Sequence, residues 1–258
     1  MPTGQSCTEG QSFDGKVAVV TGASSGLGSG VAAELARRGA SVVAGARRLD
    51  RLEQLVAEVK GVGGAIVCQT TDVTNPSDCE GLAELAVQQF GAVDVLVNAA
   101  GVGAAVPATR EEPDAFRLVV DTNLMGSYWA AQACARRMRP GSSIVNVTSI
   151  LAFTSAGLPQ AAYASSKAAI VGLTRDLAQQ WSGRKGIRVN AIAPGFFATE
   201  MTDELAPGYL TDIVVRRVPL GRMGDLSEFT AAVCFLASPD ASFITGVTLP
   251  VDGGLLTN

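Results

Sequence analysis

The chain has 258 residues, of which 47% are hydrophobic, and it carries a formal net charge of −4. A chain of this size and composition buries a large core, which favours one large α/β domain over two small ones. The acidic balance argues against nucleic acid as a partner, because no basic cluster neutralises phosphates. The absence of histidine excludes Ser-His-Asp and Cys-His catalytic sites and histidine-based metal sites, so we expect no metal centre.

Cysteine usage and apolar segments predict the compartment. The five cysteines are odd in number and lack C-x-x-C spacing, which is typical of reduced thiols in a cytoplasmic protein. Residues 1–14 form a predicted polar leader without the basic and apolar regions of a signal peptide. Residues 140–166 carry no charge, but their many Ser, Thr, Gly and Pro residues would leave polar groups unsatisfied in lipid. We therefore expect no membrane segment.

The first predicted elements are a strand, Lys16–Val20, a glycine-rich turn and a helix that ends near Gly39. The turn reads T-G-A-S-S-G-L-G, with glycines suited to a tight turn, to close approach of a phosphate and to helix–strand packing. The helix start presents free N–H groups to an anion, which favours nucleotide binding over an ordinary turn, although the spacing is not G-x-G-x-x-G. The residues expected to contact the nucleotide are Gly22, Ser24, Ser25, Gly26, Leu27 and Gly28.

The second predicted strand, Ser41–Ala46, bears on cofactor choice. Dinucleotide folds that use NAD(H) place an acid near the end of this strand to bind the ribose 2′-hydroxyl. Arg47 and Arg48 stand at that place here, and two cations suit a 2′-phosphate. The nearest acid, Asp50, is predicted with Glu53 as the N-cap and N3 of the next helix. The pattern favours NADP(H), and NAD(H) is the alternative if both arginines are simply solvated.

The next predicted strands are Ala65–Thr70 and Val93–Val97, and a helix from Pro76 to about Phe90 lies between them. Asp72 and Val73 follow the first of these strands, where Asp72 is placed to meet an adenine edge. Small residues after the second would let a cofactor ribose or ring lie against the backbone. The residues predicted for this contact are Asn98, Ala99, Ala100 and Gly101.

A long helix is predicted over about Pro113–Met138, with Asn123 near its middle. Asparagine competes for backbone hydrogen bonds inside a helix, so its position indicates a kink or a functional role. The fifth predicted strand, Ser143–Thr148, ends at Ser149.

Tyr163 and Lys167 lie four residues apart on the predicted helix Ala161–Trp181, and the spacing places both side chains on one face. A cation beside a poorly solvated phenol favours the phenolate, so we predict a lowered pKa for Tyr163 and acid–base chemistry near neutral pH. The alternative is a half-buried tyrosine beside a lysine that extends its charge to solvent.

The remaining elements complete an alternating pattern. Residues 196–220 are predicted as a lid over the cleft, with an apolar pocket formed by Met201, Leu205, Tyr209 and Leu210. The other predicted elements are a strand Ile187–Ile192, a helix Leu226–Ala237 and a strand Val247–Val251. A turn at Pro194 and Gly195 follows the first of these strands, and both residues are expected to contact the cofactor.

Apolar strands that alternate with helices predict a parallel sheet covered on both faces. The expected fold is a single doubly wound α/β (Rossmann) domain over residues 1–258, with a seven-stranded parallel sheet. Ligands of such folds bind beyond the carboxyl ends of the strands. Gly22, Asp72, Asn98, Ser149 and Pro194 all follow strands, so we predict that they converge on one cleft.

These motifs, in this order, resemble the short-chain dehydrogenase/reductase family over essentially the whole chain. The C-terminal V-D-G-G, residues 251–254, is similar to that of the β-ketoacyl-carrier-protein reductase-like members, which are usually tetramers. The resemblance implies an oxidoreductase that moves a hydride between a nicotinamide cofactor and a ketone/secondary alcohol pair.

The resemblance also implies roles for individual residues. Tyr163 would exchange a proton with the substrate oxygen, and Lys167 would lower the Tyr163 pKa and hold the nicotinamide ribose. Ser149 would stabilise charge on the substrate oxygen, Asn123 would fix a water that links Lys167 to solvent, and Thr199 would hold the nicotinamide carboxamide.

One spacing departs from the family pattern. Ser149 lies fourteen residues before Tyr163, where thirteen is commoner in the family. Thr148, Thr154 and Ser155 are therefore rival hydroxyls, and Ser149 is preferred because it directly follows the strand.

Two functions remain open from the sequence. The first is an NADP(H)-dependent enzyme acting on a small carbonyl or alcohol substrate, such as a carrier-protein-linked β-ketoester, a sugar acid, a steroid or a small ketone. The second is a catalytically silent dinucleotide-binding protein used in regulation or assembly. The family resemblance implies a homotetramer or homodimer, and alanine-rich faces on the two long helices, about 113–138 and 161–181, suit a dimer contact.

Overall fold

A computed structural model describes residues 12–203, 208 and 216–257. Its core is one parallel seven-stranded sheet in the order β3-β2-β1-β4-β5-β6-β7, so the predicted doubly wound α/β fold is confirmed. The strands are β1 Val17–Thr21, β2 Ser41–Ala46, β3 Ala65–Thr70, β4 Val95–Asn98, β5 Ser143–Val147, β6 Arg188–Pro194 and β7 Thr248–Val251.

Helices cover both faces of this sheet because each strand presents apolar side chains to both sides. The described helices are α1 Gly26–Arg37, α2 Leu49–Gly61, α3 Pro76–Phe90, α4 Pro113–Val120, α5 Gly126–Ala135, α6 Ala161–Lys185, α7 Glu200–Asp203 and α8 Leu226–Ala237. Buried side chains of α1, α2 and α8 form the core on one face, and those of α3, α5 and α6 form the core on the other. None of the helices in the described ranges is long and apolar enough to cross a bilayer.

The strand order reverses between β1 and β4, which is where doubly wound folds form a ligand crevice. Thr21 pairs with Asn98, so the loops after the two strands leave the sheet side by side. Gly22 has φ +68°, and a Cβ there would lie 2.6 Å from the Cα of Ala100. Only glycine allows the loops this close, and the crevice opens above them.

The long helix predicted over 113–138 is interrupted where Asn123 indicated a kink. α4 ends at Val120, a π-helical turn spans Asp121–Met125, and α5 begins at Gly126. The Asn123 side chain bonds the backbone of Val102 in the loop after β4. A π-helical turn is often found at a functional site, and this one carries Asn123 toward the cleft.

The prediction that Asp50 caps α2 is wrong. The helix begins at Leu49, and Arg48 is its N-cap residue, without a side-chain capping bond. Asp50 lies in the first turn, where its charge suits the positive end of the helix dipole.

The predicted polar leader extends too far along the chain. Phe13 is 1% exposed and belongs to the core beneath α1, and its backbone N–H donates to the Arg38 carbonyl at 2.8 Å. A single aromatic residue in a polar segment gives no periodic signal, so only packing identifies it as core.

The expected lid over residues 196–220 is only partly described, and Leu205, Tyr209, Leu210 and the side chain of Met201 lie outside the described residues. The two ends of the segment are packed. The Phe197 ring lies 5.6 Å from the Phe229 ring of α8, and Val218 is buried against Ile150 and Leu255.

Candidate active site

A cleft lies at the carboxyl ends of the strands, at the β1–β4 crevice. The loops after β1, β2, β3 and β4 form one part of its wall, and α6, the ends of β5 and β6, the π-helical turn and the start of α7 also contribute. The predicted residues that line it are Gly22, Ser24, Ser25, Gly26, Leu27, Gly28, Arg47, Arg48, Asp72, Val73, Ala99, Ala100, Gly101, Tyr163, Lys167, Pro194 and Thr199.

Two residues predicted to contact the cofactor do not line the cleft. The Asn98 side chain turns into the core, where Nδ2 donates to the Ser127 carbonyl at 3.0 Å and to Asn146 Oδ1 at 2.9 Å. Gly195 packs against the loop after β7, since a Cβ there would lie 2.7 Å from the Asp252 Cα. Both residues therefore pack against neighbouring elements and not against the cleft.

Lys167 is the buried cation of the cleft. It is 4% exposed, its ammonium lies 5.7 Å from the centre of the Tyr163 ring, and Nζ donates to the Val147 carbonyl at 2.9 Å. Burial disfavours the charged form and lowers the pKa of Lys167 from 10.5 to about 8.

The predicted lowering of the Tyr163 pKa is wrong for this structure. Burial of the phenol raises its pKa, and the polar contact with the Ser149 side chain lowers it by less. Desolvation of the phenol therefore outweighs its hydrogen bond with Ser149. Tyr163 holds its proton at neutral pH, which suits it to act as an acid.

Ser149 is the hydroxyl that contacts the Tyr163 side chain. It caps a 3₁₀ turn, Ile150–Ala152, and accepts a hydrogen bond from the Leu151 backbone at 3.1 Å. Because the hydroxyl is used only as an acceptor in this bond, its proton remains available for a donor role.

The three rival residues contact other parts of the chain. Thr148 Oγ1 donates to the Lys167 carbonyl at 2.6 Å, and Thr154 Oγ1 accepts from Arg217 at 3.4 Å. The Ser155 carbonyl accepts a second bond from the same guanidinium at 2.6 Å. The extra residue between Ser149 and Tyr163 is accommodated without moving Ser149 away from the phenol.

Asn123 lies beside Lys167 but does not line the cleft. A Cβ on Gly101 would lie 3.2 Å from Lys167 Nζ and 3.4 Å from Asn123 Oδ1. The Asn123 amide donates to Val102 O and Ser166 Oγ, each at 2.9 Å, and accepts from Val102 N at 2.8 Å. These bonds join the loop after β4 to α6 and fix the helix that carries Lys167.

The other end of the cleft is polar and exposed. Arg48 Nη2 donates to Ser25 Oγ at 2.6 Å, and Nε donates to Ser24 Oγ at 3.3 Å. Its Nη1 lies 3.0 Å from Glu200 Oε2. Arg47 is also exposed and lines the same wall, so two guanidinium groups face the opening.

Asp72 adds a negative charge to this wall. Hydrogen bonds from the Thr74 backbone and hydroxyl, at 3.0 and 2.8 Å, lower the pKa of the Asp72 carboxyl, and Arg47 adds to the effect. The carboxylate is therefore ionised at neutral pH and can accept a hydrogen bond from a ligand.

Comparison with known proteins places this arrangement in a family. A family model described as enoyl-(acyl carrier protein) reductase matches residues 22–256. The 3-oxoacyl-[acyl-carrier-protein] reductase of Thermotoga maritima is 37% identical over 247 residues, which cover 95% of this chain and 99% of that protein. The chain belongs to the short-chain dehydrogenase/reductase family.

Solved structures agree with this assignment. A dehydrogenase/reductase from Sinorhizobium meliloti has a TM-score of 0.91 and 31% identity, over 98% of this chain and 99% of that one. A short-chain type dehydrogenase/reductase from Mycobacterium marinum has a TM-score of 0.90 and 32% identity, over 96% and 98%. As a short-chain dehydrogenase/reductase, the protein is an NAD(P)-dependent oxidoreductase acting on carbonyl or alcohol groups, so the predicted enzyme class is confirmed.

Seven residues that line the cleft were not among the predicted cofactor contacts. Several of these residues end or follow strands, a signal that would have found them, whereas Glu200 has no local signal because its position depends on how α7 folds over the turn after β1. The missed lining residues are Ala46, Thr71, Val102, Thr122, Val147, Thr148 and Glu200. Within the described ranges, no cluster of three Cys, Asp or Glu side chains has the arrangement of a metal site.

Proposed function

We propose that this short-chain dehydrogenase/reductase transfers a hydride between NADP(H) and a ketone/secondary alcohol pair, with Tyr163 as the proton donor and acceptor. The observation that carries the proposal is that Tyr163 and Lys167 line one end of the cleft with the ammonium 5.7 Å from the ring centre, while the Ser149 hydroxyl contacts the Tyr163 phenol. A protein that only binds a dinucleotide would not require these three groups to lie close together.

In the reductive direction, Tyr163 gives its phenolic proton to the carbonyl oxygen, and in the oxidative direction its phenolate takes the proton of the substrate hydroxyl. The Ser149 hydroxyl donates a hydrogen bond to the same oxygen and stabilises its developing charge. Two donors on one oxygen suit a carbonyl group better than a carbon–carbon double bond, whose carbons accept no hydrogen bonds. Reduction of C=O is therefore favoured over the C=C reduction in the name of the family model.

The residues of the cleft fit a nicotinamide dinucleotide. The turn of residues 22–28 places the start of α1 at the cleft, where free N–H groups suit a pyrophosphate. Lys167 Nζ uses one donor on Val147 O and keeps donors for a ribose hydroxyl, and Thr199 is proposed to bind the carboxamide. Bound nicotinamide would supply the hydride, and the protein supplies position and the proton.

NADP(H) is favoured over NAD(H) by the exposed end of the cleft. Arg47 and Arg48 line the wall where β2 ends, and the Ser24 and Ser25 hydroxyls lie against Arg48. Guanidinium and hydroxyl groups are the donors that a phosphate monoester accepts best. The relatives named as 3-oxoacyl-[acyl-carrier-protein] reductases make β-oxo esters the first substrates to try.

The experiment is a turnover screen with NADPH and NADH over β-oxo esters, small ketones, sugar acids and steroids, followed through the absorbance of the reduced nicotinamide. We expect carbonyl reduction with a lower KM for NADPH than for NADH. Cofactor binding without turnover on any carbonyl or alcohol would favour the silent regulatory or assembly role.

We also propose a homodimer or homotetramer in the cytoplasm. α4 leaves Phe116 and Leu118 exposed, which supports a subunit contact along that helix. The four cysteines in the described ranges are free, as thiols are in a reducing compartment, while Cys7 lies outside those ranges. Light scattering on the purified protein measures the mass, and a monomer at micromolar concentration would contradict the assembly.

A further inference from the structure

The carboxylate of Glu200 lies on the cationic wall of the cleft. Its Oε2 is 3.0 Å from Arg48 Nη1 and 3.1 Å from Arg48 Nη2, and its Oε1 is 3.8 Å from Arg51 Nη2. Interaction with Arg48, then with the Ser25 hydroxyl, lowers the pKa of Glu200, so the group is an anion at neutral pH. An anion thus already lies among the donors proposed to bind a phosphate.

The contact joins distant parts of the chain. Arg48 and Arg51 belong to the start of α2, whereas Glu200 is the first residue of α7, after β6. The Arg48 guanidinium also donates to Ser24 and Ser25, so the same group contacts both the glycine-rich turn and Glu200. Glu200, Ser24 and Ser25 together accept from four of the five N–H groups of this guanidinium, so a bidentate contact with a second anion requires Glu200 to leave.

We infer that Glu200 is a specificity-determining residue, whose carboxylate competes with the cofactor 2′-phosphate for Arg48 and Arg51. The inference rests on the proposed preference for NADP(H). A ligand that carries a 2′-phosphate must displace Glu200 from Arg48, while a ligand with a 2′-hydroxyl leaves the ion pair in place. Glu200 therefore weakens NADP(H) binding and leaves NAD(H) binding almost unchanged. The preference for NADP(H) over NAD(H) is thus smaller than the arginines alone would give.

Charge and exposure explain why the exchange is feasible. A phosphate monoester carries about −1.5 to −2 at neutral pH and three acceptor oxygens, so it outcompetes a single carboxylate for a guanidinium. The Arg48 and Glu200 side chains are 46% and 48% exposed, and an exposed pair contributes little net stability because water replaces the lost bonds. Displacement of Glu200 thus costs the ligand a small but specific amount of affinity.

The test measures binding of two adenine nucleotides, 2′,5′-ADP and 5′-AMP, by titration calorimetry on the full chain. These probes report on the phosphate subsite without the nicotinamide end of the cleft. We expect Glu200→Gln to tighten binding of 2′,5′-ADP by about two- to fivefold, the range for loss of an exposed ion pair, and to leave 5′-AMP binding unchanged.

Glu84→Gln is the matched control. Glu84 is also exposed and paired with an arginine, Arg137, but that pair joins α3 to the segment after α5 and lies outside the cleft wall. Glu84→Gln changes the net charge by the same amount as Glu200→Gln, so it measures any general effect of charge on nucleotide binding. The inference requires that Glu84→Gln change the affinity for neither probe.

The double variant Arg48→Gln/Glu200→Gln tests the route of the effect. If the carboxylate acts through Arg48, adding Glu200→Gln to Arg48→Gln gives a smaller gain for 2′,5′-ADP than it gives in the wild type. Three results for Glu200→Gln would each overturn the inference: an equal gain in affinity for both probes, no gain, or weaker binding of 2′,5′-ADP. Weaker binding of 2′,5′-ADP would show that Glu200 orients Arg48. A wild-type protein that binds both probes equally would instead contradict the NADP(H) assignment itself.

Discussion

The two ends of the cleft use charge in opposite ways. At one end a single ammonium, on Lys167, is 4% exposed, and burial lowers its pKa to about 8. At the other end the Arg48 and Glu200 side chains are about half exposed and hold each other in place. Desolvation controls the buried charge, whereas solvent weakens each exposed pair to about 0–1 kcal/mol.

The buried end is the proposed site of proton transfer, and the exposed end is the proposed site of cofactor selectivity. In the buried end a change of one group alters proton transfer by a large factor, because no solvent replaces the lost interaction. In the exposed end water compensates for most losses, so a change of one group adjusts affinity by a small factor. We therefore expect large effects of substitution at Tyr163 and Lys167 and smaller ones at Arg47, Arg48 and Glu200.

The largest effect is expected for Tyr163→Phe. Loss of the phenolic proton removes the acid–base group, so kcat falls by about 10²–10⁴-fold while the cofactor Kd changes little. Turnover and fluorescence binding of the cofactor measure the two quantities. Tyr128→Phe is the control, because it removes a phenol on α5 outside the cleft wall and keeps full activity. Undiminished turnover by Tyr163→Phe would disprove the proposed mechanism.

Lys167→Met tests the buried end through stability and its pH dependence. The folded pKa of Lys167 is about 8 and its ordinary value is 10.5, so the unfolded chain binds more protons between these two pH values. The free energy of unfolding of the wild type therefore rises from pH 8 to pH 10.5 by about 3 kcal/mol from this group, and below pH 8 the contribution is constant.

The variant lacks this rise, so it should be more stable than the wild type at pH 7 and lose that advantage by pH 10.5. Urea denaturation across this pH range measures the difference. Lys185→Met, at the exposed end of α6, is the control for the loss of a lysine from the same helix. Parallel curves for the wild type and Lys167→Met would mean that Lys167 is not destabilised by burial.

Arg47→Ala tests the exposed end. Loss of a guanidinium from the proposed phosphate wall should weaken NADPH binding by roughly tenfold and NADH binding by less than twofold, as expected for a hydrogen bond to a charged group. Titration with each cofactor gives both values. Arg117→Ala, an exposed arginine on α4 paired with Asp114, is the control. Equal losses for the two cofactors would overturn the NADP(H) assignment.

The smallest expected effect is that of ionic strength, which should act differently on the two ends of the cleft. Raising the ionic strength shortens the range of exposed charge interactions and leaves buried ones nearly unchanged. We expect the NADPH Kd to increase a few-fold between low and high salt, while kcat at saturating cofactor stays nearly constant. A kcat that falls as steeply as the affinity would show that the Tyr163–Lys167 end is also open to solvent.

Local patterns in the sequence determined most of the fold. β2, β3 and α8 have the predicted limits, because apolar runs, glycine turns and capping residues specify them over a few positions. The family resemblance, the doubly wound sheet and the grouping of Tyr163, Lys167 and the turn after β1 were all predictable. Asn123 was recognisable because an asparagine inside a helix requires a reason, and the π-helical turn supplies one.

Tertiary structure alone decided several other features. Phe13 is core only because α1 packs over it, and Asn98 turns inward because Ser127 and Asn146 offer it partners. The direction of the Tyr163 pKa was mispredicted because four-residue spacing indicates a neighbouring cation but not how much water burial removes. Glu200 reaches Arg48 across 152 positions, and no local pattern encodes such a contact. The sequence by itself specified the groups proposed to do the chemistry, and packing decided their protonation and their neighbours, because desolvation and long-range pairing depend on the whole fold.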